Sequence, residues 1–487
     1  MKLSDRNKGE KATMLYRFWI SALLLFAGYP VLFSATFSPD RILSEPPPRR
    51  VKIASQPTLP GFAEGRLTLE IVVAPDAVPV VRFAAAELGY YLKRVLGVDI
   101  PLAAEPDSEL TSLVLGDTPW SRAAGLTIEE LPLDGFFIKS RGNSIYLGGI
   151  DDPELDPGTN GSANLHFAHG TVTATYDFLE RFLGIRFYFP GDTGTHFPQL
   201  KNLTFPEMDI FDRPDLPRRF FDLPAGLQFP DVHLLPGDLA RYQLQLRNSA
   251  FQVPDQGGMD SLAIARRWAN QNPEILGADE SGKRPTASEQ LDPSRFCFAS
   301  EFLRNNLYQD AEAFLTGKAA SIRGLDIWNP TAFQPGFFNL SLPANVQNCY
   351  CAQCQIFYLD HQESERFWAF IAEVAGKLQQ KRVPGYLTLC SNGQYAQLPQ
   401  IALPDNILIA VPAENPWFEG SLRPTRLAEQ LAFWKKSLKR KPWLAVNLGT
   451  GLQPSFLPAV TPLAIGNFIS RSRQTLSGAY FRTQCTW

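Results

Sequence analysis

Eight short apolar or alternating runs recur through the C-terminal 270 or so residues: Arg219–Leu223, Gln243–Phe251, Phe296–Ala299, Phe337–Leu342, Tyr386–Cys390, Ile407–Val411, Trp443–Leu448 and Ala479–Thr483. Helical patterns such as Phe367–Leu378 and Leu427–Leu438 lie between them. Strands alternating with helices bury both faces of a parallel sheet, and eight such units close into a (β/α)8 barrel. The expected fold is therefore α/β, with a (β/α)8 barrel over residues 213–487. An open α/β sheet of similar strand count is the competing arrangement. The last run ends four residues before Trp487, so the closing helix of such a barrel is expected to be missing.

Before the barrel, residues 66–212 read as a small α+β domain. Strands are expected at Leu67–Ala74, Ser112–Gly116, Phe136–Ser140, Ser144–Gly148 and Ile185–Phe189. Ala84, Leu88, Tyr91, Leu92 and Val95 fall at helical spacing before Gly97, and a second helix is expected at Thr171–Leu183 before Gly184. Residues 38–65, with Glu45-Pro46-Pro47-Pro48-Arg49-Arg50, read as a Pro-rich linker.

Residues 1–37 read as a signal peptide or anchor. Lys2, Arg6, Lys8, Lys11 and Arg17 precede the apolar run Phe18–Phe33, and small residues follow at Ser34 and Ala35. The run is interrupted by Pro30 and falls short of the ~20 residues that cross a bilayer. The expectation is export to the periplasm, cell surface or medium, with membrane contact only through this segment if it stays uncleaved. The formal net charge of −3 supplies no basic field for nucleic acid.

Several motifs now carry a resemblance. Arg82-Phe83-Ala84-Ala85-Ala86-Glu87-Leu88, Asp134-Gly135-Phe136, Gly148-Gly149, Tyr176-Asp177-Phe178-Leu179-Glu180 and Leu183-Gly184-Ile185-Arg186-Phe187-Tyr188 resemble the N-terminal domain of family 67 α-glucuronidases. Asn272-Pro273-Glu274, Gly282-Lys283-Arg284, Phe296-Cys297-Phe298 and Cys349-x-Cys351-x-x-Cys354 resemble an uncharacterised bacterial family that joins such a domain to a glycosidase-like barrel. The resemblance implies an exported carbohydrate-active protein, a glycoside hydrolase acting on uronic-acid-bearing or other plant or algal polysaccharide fragments. The chain departs from the pattern in three places. Asn272 stands where a histidine is expected, Ala344 and Asn345 where an acid is expected, and Arg482 and Thr483 near an expected glutamate. A catalytically degenerate carbohydrate-binding homologue is the alternative.

Glycoside hydrolysis uses two carboxyl groups, one to protonate the leaving oxygen and one to activate water or attack, ~5–9 Å apart. In a barrel they sit at the C-terminal strand ends. That places Glu414, Glu301 and Asp222 as catalytic candidates, Glu414 first because Trp417 follows it as a sugar-facing aromatic. Substrate-binding candidates are Arg247, an arginine fork for a uronate, with Asn248, Asn345, Asn392, Asn415, Asn447, Gln484 and Trp417.

No nucleophile elbow, Walker loop or dinucleotide fingerprint lies at a strand–helix junction, so no cofactor is expected. Cys349, Cys351 and Cys354 form a structural cluster that Cys297 or Cys390 could complete. In an exported protein disulfides are the first expectation; a four-thiolate metal site and a redox role are the others.

Overall fold

The computed structural model describes residues 39–487, except 46, 159–166, 223–236, 250, 252, 256–257, 260, 286–294, 330–331, 343–345, 415–422, 448–461 and 483–487. Residues 39–487 form one compact unit with a mixed α/β architecture built on two large sheets. The expected N-terminal signal lies outside the described residues. No helix among the described residues is long and apolar enough to cross a membrane.

The first sheet has eight strands, in the order Arg66–Leu67, Arg50–Ala63, Asn202–Asp212, Phe136–Arg141, Ser144–Gly149, Thr111–Leu115, Leu69–Val72 and Leu102–Ala103. Helices Pro79–Leu96 and Gly170–Phe182 pack together over it. The first of these buries Ala84, Leu88, Tyr91, Leu92 and Val95, the stripe read from the sequence, and Gly97 ends it in the left-handed conformation (φ 77°). The expected strand at Ile185–Phe189 shrinks to Arg186–Phe187, paired with Thr195–His196 outside the main sheet.

The linker expected over residues 38–65 is replaced by regular structure. A short helix covers Pro39–Leu43, and a 14-residue strand, Arg50–Ala63, runs antiparallel to Asn202–Asp212. Its prolines hid it. Register shifts flank Pro57 and Pro60, and a near-edge strand tolerates proline at such irregularities. Only its end reaches the core, through Leu59 and Phe62.

The second sheet has seven strands, in the order Arg218–Asp222, Gly478–Arg482, Trp443–Asn447, Ile407–Glu414, Tyr386–Cys390, Phe337–Asn339 and Phe333–Gln334. The first six are parallel, and Gly478–Arg482 pairs with Arg218–Asp222, a seam between strands distant in sequence. Leu387, Leu389, Ile407, Ile409, Val411, Leu444, Val446 and Ala479 pack against helices that supply Trp368, Ile371, Leu431 and Trp434. Leu408, Ala410, Ala445 and Tyr480, on the opposite face of these strands, are buried too. Burial on both faces is what a parallel sheet demands, and it explains the near-continuous apolar runs. At the seam, a Cβ on Gly478 would lie 1.7 Å from the Arg218 carbonyl oxygen, so only glycine fits there.

The arrangement is a curled half-barrel, because two of the eight expected strands do not form. Gln243–Phe251 is partly the helix Asp238–Gln245, whose Tyr242, Leu244 and Gln245 dock onto the first sheet's layer. Phe296–Ala299 makes only an isolated bridge, Leu276 with Phe296, beside a second between Arg295 and Gln347. Both runs alternate like strands, but each finds its partner elsewhere. Ser249 bonds to a strand of the sheet and Met259 just past another: Ser249 N donates to Arg219 O at 2.8 Å, and Met259 N to Ser341 O at 2.9 Å.

Candidate active site at the strand ends

The parallel register aligns the C-terminal ends of four strands. Glu414 pairs with Asn447, Asn447 with Arg482, and Arg482 with Asp222, so the four residues form one row. Two of the catalytic candidates and one binding candidate therefore fall at one edge of the sheet, three strand spacings of ~4.8 Å from end to end. For Glu414, Asp222 and Asn447 the backbone position is what the structure describes. Asn345, Asn415, Trp417 and Gln484 lie outside the described residues.

Beside this row lies an acid that the sequence reading missed. Asp255 is 1% exposed, and its Oδ1 forms an ion pair with Arg482 Nη2. Its Oδ2 is buried and has no hydrogen-bond partner among the described residues. The Asp255 carbonyl accepts from Ser341 Oγ at 3.0 Å, and Ser341 Oγ in turn accepts from Cys390 N at 2.8 Å. Tyr480 Oη accepts from Val253 N at 2.7 Å, fixing the segment that carries Asp255 against the sheet. Burial works against the Arg482 charge, but the Asp255 carboxylate outweighs it and lifts the guanidinium pKa above its ordinary value. Burial and then the Asp255 charge push the Cys390 thiol up, so it stays protonated. The signal is Phe251-x-Val253-Pro254-Asp255, an alternating pair running into an acid just past the expected strand Gln243–Phe251. Asn392 lies two residues past Cys390, and its Oδ1 is buried without a partner among the described residues.

Three other candidates are corrected. Arg247, expected to grip a uronate, is ion-paired with Glu180 of the first sheet's layer. It adopts a left-handed backbone (φ 54°) just past the helix that replaced the expected strand. With Arg219 Nη1 on Asp134 Oδ2 at 3.0 Å and Gln245 Nε2 on Tyr91 Oη at 2.7 Å, it belongs to a polar seam joining the two layers. Asn248 is consumed by the backbone of the first barrel strand. Its Oδ1 accepts from Phe221 N at 3.0 Å and its Nδ2 donates to Phe221 O at 3.3 Å, as a neighbouring strand would. Glu301 follows no strand. It opens the helix Glu301–Leu315 after the Ser300 cap and lines a groove with Glu274, Arg284, Arg304 and Arg366, beside Cys351.

The cysteine cluster is real and larger than the motif. Cys297 joins Cys349, Cys351 and Cys354, with all four Sγ atoms within 4.8 Å of one another; Cys390 is not among them. All four are free thiols, so the expected disulfides are not formed. Hydrogen bonds from Cys349 and Cys354, with the nearby Arg284 guanidinium, hold the Cys297 thiol well below its ordinary pKa. The hydrogen bonds with Cys297 push the Cys349 and Cys354 thiols up in turn. Four sulfurs gathered in this way are a donor set for a soft, tetrahedral metal ion.

No family model matches the sequence, and no curated protein matches it. Among solved structures the chain is similar to a family GH115 4-O-methyl-α-glucuronidase with specificity for decorated arabinogalactans, at 13% identity over 88% of this chain and 54% of that one, with a TM-score of 0.40. It is also similar to the Flavobacterium johnsoniae chitobiase FjGH20, at 13% identity over 89% and 64% with a TM-score of 0.38. A third is CpGH84B, at 11% identity over 90% and 67% with a TM-score of 0.33. The chain spans about half the length of the first of these. Likenesses this weak carry neither fold nor chemistry, which rest on the chain's own geometry.

Proposed function

We propose that this chain is an exported carbohydrate-active protein, a glycoside hydrolase of α-glucuronidase type that acts on uronic-acid-bearing or related polysaccharide fragments. The observation that supports this reading best is the register row Glu414–Asn447–Arg482–Asp222 at the C-terminal ends of parallel strands, with the buried Asp255 beside it. Strand ends are where a glycosidase barrel keeps its two carboxyl groups. In this reading Glu414 moves the proton to and from the glycosidic oxygen, and Asp222, in the same row of strand ends, is the second carboxyl group. Their separation then sets whether the anomeric configuration is retained or inverted. Asp255 and Arg482 hold the floor between them, and Asn447 and Asn392 offer hydrogen bonds to sugar hydroxyls. The basic and apolar N-terminal segment supports export.

One observation favours a second reading, a carbohydrate-binding protein without turnover. Arg482 occupies the strand end where the resemblance expects a glutamate, and it is already committed to Asp255. The deciding experiment screens the purified protein against uronic-acid-bearing oligosaccharides, scoring both product release and binding. Release supports hydrolysis, and binding without release supports the second reading. Neither release nor binding across the panel overturns both.

A further inference from the structure

The four-cysteine cluster shares no residue with the row of strand ends, and its sulfur spacing suits a metal ion. The Cys297 and Cys351 sulfurs are 3.7 Å apart. A tetrahedron of sulfurs ~2.3 Å from a central zinc ion has edges of ~3.8 Å, whereas a disulfide closes to ~2.05 Å. Four sulfurs within 4.8 Å of one another share a centre rather than dividing into two bonded pairs.

The surroundings are built for thiolates. Cys349 Sγ accepts from Ala278 N at 3.2 Å and from Cys351 N at 3.5 Å, and Cys297 Sγ accepts from Arg284 Nη2 at 3.9 Å. Backbone N–H groups and a guanidinium aimed at sulfur stabilise its anionic form, as a ligand requires. Gly277 lets the wall close: a Cβ there would sit 2.8 Å from Arg295 Cβ and 3.2 Å from Cys349 Cβ. Cys297, Cys349 and Cys354 are buried with Ala278 and Ala299, and Cys351 is half-buried at the edge.

The cluster also sits where the half-barrel most needs a staple. Phe296–Ala299 was expected as a strand and makes only an isolated bridge, and Cys297 lies within it. The other three ligands sit at and just before the start of the helix Ala352–Tyr358. We infer that Cys297, Cys349, Cys351 and Cys354 bind one structural Zn²⁺, which ties this strand-poor segment to the helix Ala352–Tyr358 in place of sheet hydrogen bonds. On binding, the four thiols release their protons to solvent and the site carries a formal charge of −2, which Arg284 partly offsets. Sulfur tetrahedra hold zinc or iron, and zinc is the tighter-binding divalent ion of the two.

The test is elemental analysis of the full chain, purified without chelator or added metal, together with its intact mass. The expected result is about one zinc per chain and a mass with every cluster thiol reduced once the metal is removed. Cobalt(II) replacing zinc should then give the intense visible spectrum of a tetrahedral thiolate site. Cys351→Ser, at the most accessible ligand, should lose zinc to a chromophoric chelator that leaves the unaltered protein loaded. Stoichiometric iron, or a metal-free protein whose mass is lower by the hydrogens of two disulfides, would overturn the inference. So would a folded, metal-free protein with freely titrating thiols. Because the readouts are metal and thiol state, failure here is distinguishable from failure of the carbohydrate reading.

Discussion

Arg482, on the last strand of the curled sheet, is ion-paired with Asp255, a carboxylate 1% exposed that lies 227 residues earlier in the chain. The pair links the sheet edge to the segment that stands in for a missing strand. Removing one partner of such a pair leaves the other charge buried, which costs about 3–5 kcal/mol. Arg482→Met should therefore lower the urea midpoint strongly. The double variant Asp255→Asn, Arg482→Met should recover much of that loss, giving a large coupling energy in a double-mutant cycle. Additive losses would mean that the two side chains do not meet.

Glu414→Gln keeps shape and removes the titrating proton. If the chain hydrolyses glycosides, this change should cost on the order of 10²–10⁴ in kcat with binding nearly intact, the range for a general acid–base residue. If the chain only binds, affinity should shift by ~1 kcal/mol, the net worth of one hydrogen bond. An unchanged kcat in an active protein would remove Glu414 from the chemistry.

Strand Arg50–Ala63 covers one edge of Asn202–Asp212 and buries Leu59 and Phe62. A chain beginning at Gly65 should lose the burial of both side chains, ~1.5–3 kcal/mol each, and expose an unpaired strand edge that invites association. One beginning at Pro39 should keep both. Denaturant midpoints and size-exclusion profiles compare the two; identical behaviour would show that the strand adds nothing.

His169 precedes the helix Gly170–Phe182 at 2% exposure, with Nδ1 2.6 Å from the Phe167 carbonyl. Burial lowers its pKa below the usual value. The folded protein therefore takes up this proton less readily than the unfolded chain. The stability contribution is present above about pH 6.5, the unfolded pKa, and is lost as pH falls through the folded one. Urea midpoints measured from about pH 8 to pH 5 should fall less steeply for His169→Gln than for the unaltered chain. Parallel curves would mean that His169 titrates alike in both states.

The sequence by itself determined the elements whose signal is local. The stripe Ala84, Leu88, Tyr91, Leu92 and Val95 with Gly97 marks a helix, because periodicity and a left-handed cap are properties of adjacent residues. Tyr386–Cys390 was legible to the residue, since a parallel strand buried on both faces is apolar throughout. The row of strand ends followed, placing Glu414 and Asp222 at one edge. Where partners are distant, the sequence was silent or misleading. Gln243–Phe251 alternates like a strand, yet Leu244 and Gln245 dock as a helix on the first layer, a contact no local pattern encodes. Pro57 and Pro60 argue against a strand until Asn202–Asp212 supplies a partner with shifted register. Cys297 is 52 residues from Cys349, and Asp255 reaches Arg482 only across the seam. Packing free energy selects those pairings over the whole chain, so the Asp255–Arg482 pair and the four-cysteine cluster were decided by the tertiary structure alone.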